Sequence, residues 1–559
     1  MNERYASGLG FFFSLVFASV VFCYLYGLYY LDPSHIQWML QGDPSVHFFG
    51  FNFFLYEPWH WPLGKITDFN WPAGTSLVFS DSIPLVSLPL KLFFRGTSFQ
   101  FHGLWILFCF LLQGGLGYLL ALRLKLDPFS SSMVSILLTL FPPFLFRNFE
   151  VTRHYSCLAH FLVLGALYLA SMPELSPRPI RKYWVLLLGA SLGIHFYFFY
   201  LNALIFVFAE RKQLLTKAGL RFLVISGICS VFVMYLFGYF VIPVGHSFEG
   251  GFGYYSMNLL SWFDSRGFSL LHLKLPSISD EQREGFQYLG LGIFLLLALL
   301  LTDPKKRTLA KQQANTALRN PLALLLAFVF FLALSSQLSI GSIALPDYVS
   351  VAIYLSCFYV LFLKLSVPRL QALLYTVLLI LFYFLSGHLL RSSGRTGWYL
   401  SYLLILWLIT LKPSRPILLL VTLLQIADVA PILMSIRSEN DGLLKKSANT
   451  LAQYEKIERE GVIQFLNQNS TLSFFDVPQS GKIPVTYFAL KHHLKLGPVY
   501  LARGNSTEEM SRARDKVYEK LQSGKLSPEE VIVTCADLSP NQISAPFVQM
   551  KGGGYLWIK

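Results

Sequence analysis

The sequence predicts an α-helical polytopic membrane protein with about 13 transmembrane helices and a small C-terminal α/β domain. Hydrophobic residues make up 54% of the 559 residues and charged residues only 14%, whereas roughly a quarter of the residues in soluble domains are charged. Apolar runs recur along the chain, and the composition turns polar near residue 440. The net charge of +14 comes mostly from short loops between the runs, which indicates membrane topology rather than nucleic-acid binding.

The apolar runs have lengths that suit membrane spans, which need about 17–25 residues. Residues 9–31 predict a retained first span, because the run is too long for a signal peptide and lacks a small-residue cleavage site. Residues 82–94 carry two prolines and predict an interfacial or re-entrant helix. The other predicted spans are 101–122, 130–146, 156–172, a hairpin at 183–208, 219–243, 287–302, 321–336, 349–367, 370–388, 398–411 and 416–434.

Basic residues in alternate loops indicate the orientation, because cytoplasmic loops are enriched in Lys and Arg. All six basic loops fall on one side if residues 183–208 form two short helices, with His195 and Asn202 at the break. The N-terminus is then cytoplasmic and the C-terminus periplasmic. The basic residues are Arg123 and Lys125; Arg178, Arg181 and Lys182; Arg211, Lys212 and Lys217; those of 305–319; Lys364 and Arg369; and Lys412 and Arg415.

The opposite, exoplasmic face is predicted to carry the functional site, because its loops mix acids, arginines, histidines, glycines and aromatics. These loops are 32–100, 147–155, 244–286 and 391–397. Residues 1–436 would form the transmembrane module, and residues 437–559 a soluble exoplasmic α/β domain. In that domain, helix-like segments at 448–467 and 507–522 alternate with strand-like segments at 471–476, 498–502, 530–535 and 554–558.

Asp43 lies where the chain leaves the first span, and His47 and a dense aromatic cluster follow it. A carboxylate at the membrane boundary can act as a general base towards a hydroxyl group. Asp43 can also cap a helix that begins near Pro44, since Asp-Pro is a common pair at helix starts. Position and residue type leave both interpretations open.

The segment after Asp43 resembles the first-loop signature of the GT-C superfamily, the polyprenyl-phosphate-sugar-dependent glycosyltransferases. Protein O-mannosyltransferases in that superfamily have an acidic pair and then a spaced HFG. Here Asp43 precedes His47, Phe48, Phe49 and Gly50, and Pro44 takes the place of the second acid. The wider pattern is closer to a family of bacterial multi-spanning proteins placed in that superfamily. The similar stretches are GDPSVHFFGFNFFLYEPWHWPLG, GTSLVFSDSIPL, VTRHYSCLAHFLVLGALYLA, GGFGYYSMNLLSW, EGFQYLGLG and RSSGRTGW.

This resemblance implies an inverting glycosyltransferase of the bacterial inner membrane. It would move a sugar from a polyprenyl-phosphate donor to a glycan, a lipid-linked saccharide or a protein at the periplasmic face. Asp43 would be the general base, and an amphipathic helix over residues 45–56 would lie in the membrane interface after it. His47 would bind the donor phosphate or be an ordinary interfacial histidine.

A polyprenyl phosphate leaving group needs cations near the bilayer surface, and arginine binds phosphate in bidentate fashion. One exoplasmic cluster contains Arg147, Arg153 and His154, and a second contains Arg391 and Arg395. An RSSGR-like stretch recurs in the similar family, which favours the second cluster. Salt bridges to loop acids such as Glu150 are the alternative role for these arginines.

Other exoplasmic residues are candidates for contact with the sugar or the acceptor. Tyr254, Tyr255 and Asn258 could stack on or hydrogen-bond a sugar, although a purely structural loop fits equally well. Glu284 could orient arginine side chains or the acceptor.

We expect neither a metal nor another cofactor, with the lipid-linked sugar acting as substrate. Asp43, His47 and Glu57 are the residues considered for a cation site, but hard cations need more oxygen ligands than this set offers. The six cysteines form no CxxC pair, so a zinc cluster or disulfide framework is not predicted.

Two other functions remain open on the sequence alone. A transporter or flippase of lipid-linked saccharides would need charges at mid-span depth, each costing about 2.5–3.5 kcal/mol on insertion scales. Such charges are nearly absent, and the polar residues cluster at exoplasmic ends. A membrane O-acyltransferase would need a histidine deep in a span, for which His160 and His195 are candidates, but it leaves Asp43 unexplained.

Overall fold

Helices dominate the protein, because an apolar segment in a helix satisfies its backbone hydrogen bonds internally. The computed structural model describes residues 3–149, 152–172, 177–242, 251–459, 466, 470–475, 479–497, 499, 507–527, 529–534, 547–549 and 555–557. The helices of the apolar region are α1 (Glu3–Tyr26), α2 (Gly42–Tyr56), α3 (Pro84–Phe94), α4 (His102–Arg123), α5 (Pro128–Thr139), α6 (Pro142–Phe146), α7 (Phe161–Ala170), α8 (Pro177–Ile194), α9 (Phe196–Leu214), α10 (Lys217–Phe237), α11 (Leu291–Thr302), α12 (Pro304–Leu318), α13 (Leu322–Leu334), α14 (Asp347–Lys364), α15 (Arg369–Leu389), α16 (Gly397–Thr410) and α17 (Arg415–Arg459).

Seven helices among the described residues are long and apolar enough to cross a membrane, and an eighth is counted if α12 and α13 form one span bent by 87°. These helices are compatible with a helical membrane protein. The seven are Tyr5–Tyr26, His102–Arg123, Pro128–Phe146, Lys217–Phe237, Asp347–Lys364, Arg369–Leu389 and Arg415–Arg459. Shorter apolar helices occur at Pro84–Phe94, Tyr155–Ala170, Lys182–Ile194 and Leu291–Thr302.

Two helices present broad apolar faces to the surroundings of the protein. On α10, Val224, Ile228 and Phe232 are more than half exposed. On α15, Leu370 and Leu381 are also more than half exposed. Patches of this kind are rare on soluble monomers, and a lipid environment removes their cost.

The predicted break within residues 183–208 is present in the structure. Helix α8 ends at Ile194, and α9 begins at Phe196 with His195 between them. The His195 ring accepts a hydrogen bond from the backbone N–H of Tyr197, as an N-terminal cap does. Asn202 lies further along α9, where it donates to the Ser191 hydroxyl and accepts from Tyr399. The two short helices pack against each other as the predicted hairpin requires.

Helix α2 is confirmed over the predicted segment, but it is buried inside the protein rather than lying in the membrane interface. Phe48, Phe51 and Phe54 are fully buried on it. The prediction was wrong because loop 57–101 and a C-terminal helix cover α2, and this covering is a tertiary contact that the local pattern does not contain.

The C-terminal region contains a five-stranded sheet, as the alternating segments predicted. Its strands are β5 (Thr471–Phe475), β6 (Lys495–Gly497), β7 (Glu530–Thr534), β8 (Phe547–Gln549) and β9 (Tyr555–Trp557), in the order β6-β5-β7-β9-β8. β5 pairs in parallel with β6 and β7, whereas β9 is antiparallel to β7 and β8. Helices α18 (Gln479–Lys491) and α19 (Thr507–Ser523) accompany this sheet. Most of the predicted strand at 498–502 lies outside the described residues.

The predicted domain boundary at 436/437 lies inside α17, which runs without a break to Arg459. The change in composition therefore marks where one helix leaves its apolar surroundings. Short hairpins occur elsewhere in the loops, where β1 (Lys65–Ile66) pairs with β2 (Thr75–Ser76) and β3 (Ser339–Ile340) with β4 (Ile343–Ala344).

The C-terminal sheet is joined to the first long loop by backbone contacts. Leu496 donates its N–H to the carbonyl of Asp68 and accepts from the N–H of Trp71, both at 2.8 Å. Helix α18 packs on α2 next to this junction. The C-terminal region therefore supports the loop and the helix that begin the candidate site.

We expect Gly497→Ala to loosen this junction, because an added Cβ would lie 1.8 Å from the carbonyl oxygen of Trp71. Overpacking of this kind typically costs about 1–3 kcal/mol. Limited proteolysis in detergent should cut the C-terminal region of this variant faster than that of the wild type. Gly442→Ala is the matched control, since its Cβ meets nothing within 4 Å. Equal cleavage rates for both variants would show that the junction is not tight.

Candidate active site

A cavity of about 240 Å³ lies where the four predicted exoplasmic loops meet. Each loop contributes polar side chains to its wall. The polar and aromatic lining residues are Asp43 and Asp81 from the first loop, His154 from the second, Tyr255, Glu281, Arg283 and Glu284 from the third, and Arg391, Ser392 and Arg395 from the fourth, joined by His195, Tyr197 and Tyr239. This volume lies below the roughly 300–1,000 Å³ of sites for drug-sized ligands, so the cavity suits one small polar group.

Asp43 lies in the first turn of α2, but it does not cap this helix. The helix begins at Gly42, Gln41 occupies the N-cap position, and no side chain makes a capping hydrogen bond. The Asp43 Oδ2 atom lies 3.3 Å from Nε2 of His154, and about a third of the Asp43 side chain is exposed. The structure therefore favours a role for Asp43 in the cavity over its role as a cap.

Gly50 allows the loop that carries Asp81 to pack on α2. An added Cβ at Gly50 would lie 2.3 Å from Cβ of Ser80, so only glycine permits this approach. The Ser82 hydroxyl then donates to the backbone carbonyl of His47 at 3.1 Å. Asp81 lies between these two serines with φ at +54°, a left-handed conformation that is uncommon outside glycine. The spacing of His47 and Gly50 places the imidazole next to the Asp81 carboxylate.

His47, Asp81 and His154 form a compact cluster, of which Asp81 and His154 line the cavity and His47 lies behind them. Nε2 of His47 is 3.3 Å from Asp81 Oδ2, and Nδ1 of His154 is 3.5 Å from the same oxygen. The Ser156 hydroxyl donates to the other oxygen of Asp81. Burial lowers the pKa of His47, so its imidazole is neutral at pH 7.

Glu284 joins two buried arginines on another wall of the cavity. Its Oε2 accepts from Arg147 Nη1 at 3.0 Å and from Arg395 Nε at 2.7 Å. Burial by itself would raise the pKa of Glu284, but Arg147 and Arg395 hold it well below its usual range. Arg395 also donates to the sulfur of Cys157 and lies over the ring of Tyr197. Glu284 therefore orients arginine side chains, which is one of the two roles that the sequence suggested.

Arg391 lines the cavity beside Tyr255. Its Nη2 donates to the Tyr255 hydroxyl at 3.1 Å, and its guanidinium lies over the same ring at 5.1 Å from the centroid. Gly251 packs on the aliphatic part of Arg391, where an added Cβ would come within 2.1 Å. Tyr255 thus positions a cation, and neighbouring Tyr254 is half exposed outside the lining.

Two sequence-predicted binding residues lie away from the cavity. Arg153 is fully buried and donates to the Asn148 carbonyl and to Oδ1 of Asn440 on α17. Asn258 bonds to Gln282 and to both backbone groups of Gly341, so it holds two loops together. Both side chains have structural partners, and neither lines the cavity. Glu150, the suggested partner of the arginines, lies outside the described residues.

The cation set considered in the sequence is not assembled, because Glu57 is at the opposite end of α2 from Asp43. Glu57 accepts hydrogen bonds from the backbone N–H groups of Thr67 and Asp68 and thereby holds the first loop. Burial raises its pKa to about 7. Glu57 is a structural residue of the loop.

The two histidines of the acyltransferase alternative have different surroundings. His160 is fully buried, with Nδ1 3.0 Å from the Tyr402 hydroxyl and its ring against Trp398. His195 lines the cavity at the break between α8 and α9.

Sequence reasoning missed Asp81 and Arg283 as residues of the site, and it considered His195 only for the acyltransferase alternative. Asp81 stands in the similar stretch GTSLVFSDSIPL, where a lone acid between two serines was the available signal. Nothing in the sequence indicates that it lies beside His47, because the two meet through packing of the loop on Gly50.

One wall of the cavity can therefore bind an anion, and a carboxylate on the opposite wall can accept a proton. Arg391 and Arg395 supply fixed positive charge, and Tyr255 and Glu284 orient them. Asp43 supplies a partly exposed carboxylate. This combination suits a reaction in which a hydroxyl loses a proton while a phosphate departs.

Replacing Glu284 with glutamine should strongly destabilise the protein, because Arg147 and Arg395 would remain buried without their shared counter-charge. Removal of one partner from a buried ion pair typically costs about 3–5 kcal/mol. Denaturation in detergent should show this loss for Glu284→Gln. Asp280→Asn is the control, since Asp280 is mostly exposed and such pairs contribute about 0–1 kcal/mol. Equal stability of the two variants would contradict the buried triad.

Comparison with known proteins identifies a family for the chain. No curated protein and no solved structure matches it. A family profile described as a domain of unknown function, DUF6311, matches residues 15–362, which is more than half of the chain. The matched region contains Asp43, Asp81, His154 and Glu284, whereas Arg391 lies beyond it. The chain belongs to the DUF6311 family.

Proposed function

We propose that this protein is a GT-C glycosyltransferase of the bacterial inner membrane. It transfers a sugar from a polyprenyl-phosphate donor to an acceptor on the periplasmic face, with Asp43 as the general base. The acceptor is a glycan, a lipid-linked saccharide or a protein. The resemblance of the first loop to the GT-C signature gives the reaction class.

The observation that carries the proposal is the convergence of four distant loops on one cavity. Asp43, His154, Glu284 and Arg391 come from four segments that the basic-loop pattern assigns to the same face. A site at one membrane face suits a donor whose lipid tail remains in the bilayer. The same location favours an enzyme that acts at the membrane surface over a transporter that moves its substrate across the membrane.

The reaction is a single displacement at the anomeric carbon. The acceptor oxygen attacks this carbon, Asp43 takes the proton from the hydroxyl, and the bond between the carbon and the phosphate oxygen breaks with inversion. Arg391 and Arg395 stabilise the departing polyprenyl phosphate, whose negative charge increases as the bond breaks. Tyr255 and Glu284 keep these guanidinium groups in place before the donor binds.

The proposed topology has 13 spans, a cytoplasmic N-terminus and a periplasmic C-terminal domain. It adds six helices to the seven long apolar ones, and α3 remains an interfacial or re-entrant helix. The six are α7, α8, α9, α11, α13 and α16. It also assigns loops 32–100, 147–155, 244–286 and 391–397 to the periplasm. The basic residues of the remaining loops support this arrangement.

Asp43→Asn should lower the rate of sugar transfer by about 10²–10⁴-fold, because asparagine cannot accept the proton. Donor binding should remain near the wild-type level, since the arginine wall is untouched. Purified protein in proteoliposomes with a radiolabelled polyprenyl-phosphate sugar gives both quantities. Asp32→Asn is the control, because Asp32 is an exposed acid of the same loop that bonds to Ser34.

Wild-type transfer rates in folded Asp43→Asn would contradict its role as the base. Movement of the labelled lipid across the bilayer without sugar transfer would favour the flippase alternative. Acyl transfer to a glycan that persists in Asp43→Asn would favour the acyltransferase alternative.

Arg391→Gln should raise the KM for the donor, because the variant loses a guanidinium that lines the cavity. The kcat should fall less than in Asp43→Asn, since the base remains. Arg266→Gln is the control, because Arg266 pairs with Asp280 outside the cavity lining. An unchanged KM in Arg391→Gln would place the phosphate elsewhere.

Reporter fusions test the topology independently of activity. A fusion after Lys306 should be active in the cytoplasm, and one after Lys559 in the periplasm. Both reporters on the same side would contradict the 13-span arrangement.

A further inference from the structure

We propose that His47, Asp81 and His154 bind one divalent transition-metal ion, with Zn²⁺ as the preferred ion. Each of these residues offers one ligand atom, and the three atoms lie within 4.8 Å of one another. The closest contacts join Nε2 of His47 and Nδ1 of His154 to Oδ2 of Asp81. This inference adds a metal to a site for which the sequence predicted none. It does not depend on the proposed sugar transfer.

The two contacts to the Asp81 oxygen match the edges of a tetrahedral zinc site. Ligands that are each about 2.0–2.1 Å from a tetrahedral ion lie about 3.3–3.4 Å from one another. The Asp81 oxygen is 3.3 Å from the His47 nitrogen and 3.5 Å from the His154 nitrogen. An ion can therefore occupy the space between the three atoms with small movements of the side chains.

Hydrogen bonding within the cluster does not account for these contacts. Ordinary N–H···O bonds have lengths of about 2.7–3.2 Å, and both contacts to Asp81 Oδ2 are longer. Asp81 Oδ2 is buried and has no hydrogen-bond partner among the described residues. Asp81 as a whole is 8% exposed and His47 only 2%. The two imidazole nitrogens contact this Asp81 oxygen at 3.3 and 3.5 Å, and a cation bound between the three atoms would stabilise the buried charge more strongly than these long contacts do.

Neighbouring groups orient two of the three ligands, as is usual around protein metal ions. The Asp43 carboxylate faces Nε2 of His154 at 3.3 Å, so an N–H there leaves Nδ1 as the metal-binding nitrogen. The Ser156 hydroxyl holds the Oδ1 atom of Asp81 and directs Oδ2 to the histidines. His47 packs against the rings of His102 and Tyr155.

The composition of the ligand set selects the ion. Two imidazoles and one carboxylate match three-ligand catalytic zinc sites, whose fourth position is open. Mg²⁺ and Ca²⁺ prefer six or more oxygen ligands, which this cluster does not supply. Asp81 and His154 line the cavity, so the open position faces a water molecule or an oxygen of a bound substrate.

Metal analysis of the purified protein tests this proposal without any assay of activity. The full-length protein in detergent is treated with a chelator, equilibrated with buffered Zn²⁺ and analysed by elemental mass spectrometry. We expect about one zinc ion per chain in the wild type and less than a tenth of that in His47→Ala, Asp81→Asn and His154→Ala. His35→Ala should retain the wild-type content, because His35 is a partly exposed histidine of the same loop.

Asp43→Asn distinguishes an orienting group from a ligand. Loss of such a partner typically weakens metal affinity by about 10–100-fold without abolishing binding. A zinc titration should therefore show reduced affinity in Asp43→Asn and no binding in Asp81→Asn.

Cobalt substitution provides a readout that does not rely on the folding of any variant. Co²⁺ added to the metal-free wild type should give the intense visible absorption of a tetrahedral site, which one equivalent of Zn²⁺ should remove. A wild type that binds no zinc and gives only weak octahedral Co²⁺ absorption would overturn the proposal. Sugar transfer by a metal-free protein would leave the proposed function intact, and zinc binding without transfer would leave this inference intact.

Discussion

The rest of the site depends on the ion pairs that the buried Glu284 carboxylate makes. It lies between Arg147 and Arg395, so one side chain connects three loops that are far apart in sequence. Each of these charges would be expensive to bury alone, and the shared pairing makes their burial tolerable. The loops are consequently ordered against one another, and the cavity forms between them.

A second set of contacts attaches the first loop to this framework. Gly50 lets the Ser80–Ser82 segment approach α2, and Ser156 then bonds to Asp81 across the gap between loops. His154 lies next to both Asp43 and Asp81. One histidine therefore connects the proposed base with the proposed metal ligands. A bound ion would fix the His154 ring and, through it, the position of the Asp43 carboxylate.

The sequence predicted the parts of the fold that follow from local pattern. The apolar runs at 219–243 and 370–388 became α10 and α15, and the strand-like segment at 530–535 became β7. The basic-loop pattern grouped four predicted exoplasmic loops on one face, and residues of all four line one cavity. Local pattern also indicated the break at His195, because polar residues interrupt an apolar run there.

The remaining features depend on tertiary contacts that a single sequence does not contain. Arg153 and Arg391 both lie in loops that were predicted to be exoplasmic. In the structure, Arg153 donates a hydrogen bond to Asn440 on α17, whereas Arg391 lines the cavity. The sequence of α2 is typical of an interfacial helix, but in the structure α18 and the first loop cover it. Asp81 joins the site only because Gly50 lets its loop approach His47.

The most direct test of the account is an experimental structure of the Asp43→Asn variant with a bound polyprenyl-phosphate sugar. The account predicts that the donor phosphate contacts Arg391 and Arg395, with the anomeric carbon of the sugar facing residue 43 across the cavity. A phosphate bound on another surface, or a sugar directed away from residue 43, would contradict the account.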